Sequence, residues 1–97
     1  MKILFTSLDL HALNLSLEPI EFEFAPIKGD YVQIDQFVNN EERAIITNHL
    51  ESLKKVISGE VNSRVWTKKN EEKILMIGLH FYEYTEEINE ENEILIF

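Results

Sequence analysis

The sequence predicts an α+β fold: a mainly antiparallel sheet of about five or six strands with one central helix, residues 40–58, packed on one face, in the order βββ-α-ββ(β). Two hydrophobic periods carry that prediction. Apolar and polar residues alternate strictly through residues 13–18 and again through 20–24, the period of a half-buried strand. From Asn39 the apolar residues recur at three- and four-residue steps instead, placing Ile45, Ile46, His49, Leu50, Leu53, Val56 and Ile57 on one stripe of a helix. A third observation sets the scale. The 97 residues, 44% hydrophobic with six Phe and a single Trp, supply one core and predict one domain over residues 1–97.

Residues 2–8 open with the uninterrupted apolar run Ile3, Leu4 and Phe5, which suits a strand buried on both faces. The alternation shifts parity at Pro19, whose missing amide hydrogen places it at an edge or a corner, and Glu18, Glu21 and Glu23 then face water. Residues 26–30 form a turn in which Gly29 takes positive φ and Asp30 bonds nearby backbone. Residues 31–38 make the next strand. Asn39, with Glu42 three residues on, is a capping box; Glu41 and Glu42 suit the positive end of the helix, Lys54 and Lys55 the negative end, and Gly59 ends it.

Residues 61–68 and 73–84 form a hairpin around residues 69–72. Leu75, Ile77, Leu79 and Phe81 make an apolar face. Pairing Val65 with Leu75 and Val61 with Leu79 keeps the valines on that face, whereas a one-residue slip sets Arg64 against Ile77. The valines-inward register gathers Arg64, Trp66, Met76, His80 and Tyr82 on the opposite face. Residues 83–93 suit a solvated loop or a frayed turn of helix, and Ile94, Leu95, Ile96 and Phe97 a short terminal strand or a segment covered by a partner.

The net charge of −9 is unevenly spread. The acidic patch Glu83, Glu86, Glu87, Glu90, Glu91 and Glu93 contains no Lys or Arg, while Lys54, Lys55, Arg64, Lys68, Lys69 and Lys73 outnumber Glu60, Glu71 and Glu72 in the stretch before it. So acidic a chain lacks the cationic footprint that nucleic acid requires, and no direct nucleic-acid binding is expected. The absence of cysteine removes thiolate metal sites, thiol nucleophiles and disulfides. No run approaches the roughly 20 apolar residues of a membrane span, and the apolar start is too short for a signal-peptide core, so a cytoplasmic protein without membrane attachment is expected. High Ile, Asn, Lys and Glu usage suits an AT-rich microbial or phage genome.

Chemistry-bearing motifs are sparse. There is no glycine-rich loop, serine elbow or zinc-binding helix motif, and the acidic run lacks the Asp and Gly pattern of a calcium loop. No catalytic residue, cofactor or metal ligand is therefore assigned. Asp9 and His11 would share one face if their segment were a strand, but two ligands do not make a metal centre, and a turn is expected there. His49 reads as a core histidine on the helix stripe. His80 is set apart by its expected neighbours Arg64, Trp66 and Tyr82.

The sequence points first to a non-catalytic protein–protein contact module, self-associating through the face of Arg64, Trp66, Met76, His80 and Tyr82. An acidic mimic that blocks a nucleic-acid-binding protein is the second expectation. A small enzyme with His80 as base, Tyr82 as donor and Arg64 as anion clamp is the third.

Overall fold

The computed structural model describes residues 1–84. In chain order these form β1 (Lys2–Thr6), α1 (Leu8–Ala12), β2 (Ile20–Glu21), β3 (Tyr31–Gln33), a 3-10 turn (Ile34–Phe37), α2 (Asn40–Ser52), β4 (Ser58–Lys69) and β5 (Glu72–His80). The strands make one five-stranded sheet in the order β2-β1-β5-β4-β3. The β1–β2 and β4–β5 pairs are antiparallel and β1–β5 is parallel. The fold is thus α+β, with the predicted order of three strands, a helix and two strands, and with α1 as an addition. The terminal strand expected at Ile94, Leu95, Ile96 and Phe97 lies outside the described residues.

The described chain divides into two units, Met1–Val32 with Glu60–His80, and Gln33–Gly59 with residues 81–84. In the first, the two most continuous apolar runs occupy the middle of the sheet. Ile3 pairs with Leu75, Leu4 with Met76 and Phe5 with Ile77. Ile3, Phe5, Leu75 and Ile77 are all buried, as residues on an inner strand pair should be. Phe5 also meets Phe22 edge-on, with ring centroids 5.7 Å apart.

The alternation in residues 13–18 does not produce a strand. A short helix precedes it: Ser7 caps α1 by accepting from the Leu10 amide at 2.9 Å, and Asn14, at φ 53°, closes it. The Leu15 amide reaches back to the Leu10 carbonyl and the Asn14 amide to that of His11. Beyond it Leu17 is buried while Asn14, Ser16 and Glu18 are exposed, so the pattern records which side chains turn inward along an irregular segment. Only Ile20 and Glu21 pair as a strand. Glu18, Glu21 and Glu23 are exposed as expected. The turn over residues 26–30 also forms, with Gly29 at φ 97° and the Ile27 amide donating to the Asp30 carboxylate at 2.9 Å.

The hairpin turn falls at Asn70 and Glu71, both at positive φ, between paired Lys69 and Glu72. Its register corrects the valines-inward expectation over half its length. Val61 pairs with Leu79, but the ladder then skips a residue. Ser63 meets Gly78, Arg64 meets Ile77, Val65 meets Met76 and Trp66 meets Leu75. The bulge lies at Asn62 and Ser63, both of which face Gly78: a Cβ built there would sit 3.0 Å from Asn62 Oδ1 and 2.3 Å from Ser63 Oγ. One extra residue on β4 reverses the parity of everything beyond it.

In the second unit, Asn39 caps α2 as expected. Its side chain accepts from the Glu42 amide at 2.8 Å, and its own amide donates to Glu42 Oε1 at 3.3 Å. The helix packs on the 3-10 turn, whose Asp35 carbonyl accepts from Arg43 Nε at 2.9 Å. That turn replaces the second half of the strand expected over residues 31–38. The helix also ends at Ser52, short of residue 58, because Lys54 at φ 56° closes it before Gly59 is reached. The Lys54 and Lys55 amides return to the carbonyls of Glu51 and Leu50. A lysine in the left-handed region carries a steric cost that glycine does not. Lys54→Gly is therefore expected to stabilise the chain by about 0.5–1 kcal/mol, read as a higher urea midpoint at unchanged slope.

Candidate cationic and aromatic hairpin face

Cross-strand partners share a face, so the observed register sorts the candidate residues anew. Arg64, Trp66 and Lys68 of β4 lie on one face with Lys73, Leu75 and Ile77 of β5. Met76 lies on the opposite face with Val65, and His80 lies with Glu60 on that side as well. Tyr82 follows β5 in the second unit, where its carbonyl accepts from the Val56 amide at 2.8 Å. The five residues expected to form one face are thus divided by the bulge. Arg64 and Trp66 stay together with Lys68, which shares their face along β4 in either register, and through the pairing they acquire Lys73 from β5, which the expected register had put on the other side.

This face is half core and half surface. Leu75 and Ile77 are fully buried, whereas Trp66 is 59% exposed and Arg64, Lys68 and Lys73 are exposed. Trp66, Thr67, Lys68 and Lys73 line a shallow open groove of about 600 Å³. Lys68 and Lys73 stand directly opposite each other across the hairpin. Like charges in that position repel, and among the described residues neither they nor Arg64 makes an ion pair. The ion pairs present lie elsewhere. Lys2 Nζ meets Glu72 at 3.1 Å, and the N-terminal ammonium donates to the Glu21 carboxylate. That hydrogen bond, and then the ammonium's charge, hold Glu21 below the usual carboxylate range.

The remaining candidates fall apart geometrically. Asp9 and His11 sit on α1, where positions two apart point to different sides, so they do not share a face. His80 has Glu60 directly across the ladder, a carboxylate partner that the sequence did not supply. It lies on the face opposite Arg64, so Arg64 is not positioned as an anion clamp for it. His49 is half-buried on α2. Asp35 Oδ1 is buried without a hydrogen-bond partner, while its Oδ2 accepts from Gln36 at 3.0 Å. A second cavity of about 220 Å³, lined in part by Leu4, Ser7, His11 and Lys69, is smaller than the roughly 300 Å³ at which small-molecule pockets begin.

Among the described residues no group of three or more His, Asp or Glu is arranged to hold a metal ion, and no helix is long and apolar enough to cross a membrane. Of the acidic patch, Glu83 is exposed, with its backbone bridged to Lys55. Glu86, Glu87, Glu90, Glu91 and Glu93 lie outside the described residues. Comparison with known proteins yields no relative from which a role could be carried over: no family model, no curated protein and no solved structure matches the chain.

Proposed function

We propose that this chain is a non-catalytic contact module that binds a second copy of itself. The observation that supports this reading is Trp66, 59% exposed between Arg64 and Lys68 on one hairpin face. Tryptophan and arginine are the residues most enriched among those that dominate association energies. A large ring set among cations offers stacking, cation–π contact and apolar area at one spot. No comparable convergence of nucleophile, base and orienting group exists among the described residues for a catalytic reading; the trio His80, Tyr82 and Arg64 is divided between two faces and two units.

Because Trp66 is the sole tryptophan, its emission reports this site alone. Sedimentation equilibrium at protein concentrations on the order of tens of micromolar is expected to show a dimer, with Trp66 emission shifting to the red as the protein is diluted. Trp66→Ala is expected to weaken association by about 2 kcal/mol or more, roughly thirtyfold. A monomer throughout that range, with emission independent of concentration, would count against the proposal.

A further inference from the structure

Resting on that reading, we infer that the face formed by Arg64, Trp66, Lys68 and Lys73 receives the acidic run of a second copy, the segment carrying Glu83, Glu86, Glu87, Glu90, Glu91 and Glu93. The face itself calls for an anion. Lys68 and Lys73 are held opposite one another by the ladder, with Arg64 and the Trp66 ring on the same side, and no described carboxylate neutralises them. A repelling cation pair becomes favourable once a carboxylate is placed between its members, and each added anion also lies close to Arg64.

The sequence supplies that anion. Residues 83–93 carry six glutamates and no Lys or Arg, a strong local excess of negative charge within a chain whose net charge is −9. The same chain thus carries a cationic face and an anionic segment. That is the self-complementary condition for a two-fold pair, in which each copy gives its acidic run to the other's hairpin. An acidic peptide also suits the groove's shape, which is open and shallow, about 600 Å³, with the tryptophan ring as one wall. Ile88 interrupts the glutamates and gives the run an apolar side chain to lay on such a ring.

Charge exchange tests the inference. One variant carries Arg64→Glu, Lys68→Glu and Lys73→Glu; the other carries Glu86→Lys, Glu87→Lys, Glu90→Lys and Glu91→Lys. Each reverses one side of the contact and leaves Trp66 in place. Each alone is expected to lose self-association by about tenfold or more, because like charge then faces like charge. An equimolar mixture pairs acidic face with basic run and basic face with acidic run, so heterodimer formation near the wild-type affinity is expected. Circular dichroism establishes that both variants are folded. Wild-type association should also weaken steeply between low and high salt.

Undiminished dimerisation of the Glu→Lys variant would overturn the inference while leaving self-association intact. So would a mixture of two folded variants that stays monomeric, or salt-independent dimerisation of the wild type. A monomeric wild type whose Trp66 emission shifts on reversing the run would show the contact made within one chain, and would also overturn it. A monomeric wild type without that shift removes the self-association reading itself.

Discussion

Truncating Ile77 to alanine is expected to cost about 3–4 kcal/mol, whereas the same truncation at Val65 changes stability by less than about 0.5 kcal/mol. Ile77 is fully buried on β5, the middle strand of the five, with Phe5 beside it on β1 and Arg64 on β4. Its inner-strand position leaves little room for the backbone to collapse into the space vacated, so a cavity term adds to the lost transfer energy. Against a total stability of roughly 5–15 kcal/mol the loss is large enough to halve the urea midpoint in a marginal case. Val65 is 56% exposed and pairs with Met76, so its methyl groups have little burial to lose. The contrast also checks the register. With the valines inward, Val65 would stand opposite Leu75 and its truncation would be felt in the core. Equal, large losses at both positions would contradict the ladder described above.

The class of fold, the order of its main elements and the start of α2 were legible because each rested on a local physical signal. Asn39 and Glu42 cap one another across a single turn, and Gly29 and Asp30 complete a turn within five residues. The apolar face of β5 was legible in Leu75, Ile77 and Leu79, whereas the expectation of burial on both faces of β1 holds on one side only: Ile3 and Phe5 are buried and Leu4 is half-buried. What was not legible required tertiary context. Leu13, Leu15 and Leu17 alternate with polar residues whether the backbone is hydrogen-bonded to a neighbour or only lies against a core. Ser7 and Asn14 bracket a helix of five residues, too short for an apolar period to declare itself. Lys54 ends α2 in a conformation for which lysine is a poor choice, so no propensity points to it.

The candidate face shows the same division at finer scale. The exposure of Trp66 follows from no local rule, and its companions were misassigned by one residue of register. Val61 opposite Leu79 was correct; everything nearer the hairpin turn was displaced by the bulge, which moved Met76 and His80 away from the face of Arg64, Trp66 and Lys68 and brought Lys73 to it. The signal that could have found it was Gly78. An isolated glycine within an apolar strand marks a bulge or a close approach of another chain segment, and here it marks both. With Gly78 taken into account, the slip that sets Arg64 against Ile77 is no longer the costlier arrangement, because the extra residue absorbs it without turning Val61 outward.

Gly78→Val is accordingly expected to destabilise the chain by about 3 kcal/mol, and to act on Trp66, far from it in the sequence, as well as on its own surroundings. A Cβ at Gly78 would lie 2.3 Å from Ser63 Oγ, and valine adds two further carbons where the Asn62 and Ser63 side chains converge. Alanine is the milder probe. Ser63 can rotate its hydroxyl away, so Gly78→Ala should cost about 1 kcal/mol, and pairing it with Ser63→Ala should recover most of that loss, since the nearest remaining Ser63 contact, its Cβ, is then an ordinary 3.6 Å away. Valine allows no such relief. The ladder can accommodate it only by giving up the two-against-one arrangement, and regular pairing from Val61 onward would carry Trp66 to the face of Ile74 and Met76. Unfolding by urea, followed at the Trp66 emission, reads both effects, and self-association should fall with them. Wild-type stability in Gly78→Val, or additive losses in the Gly78→Ala and Ser63→Ala pair, would show that the glycine does not set the bulge.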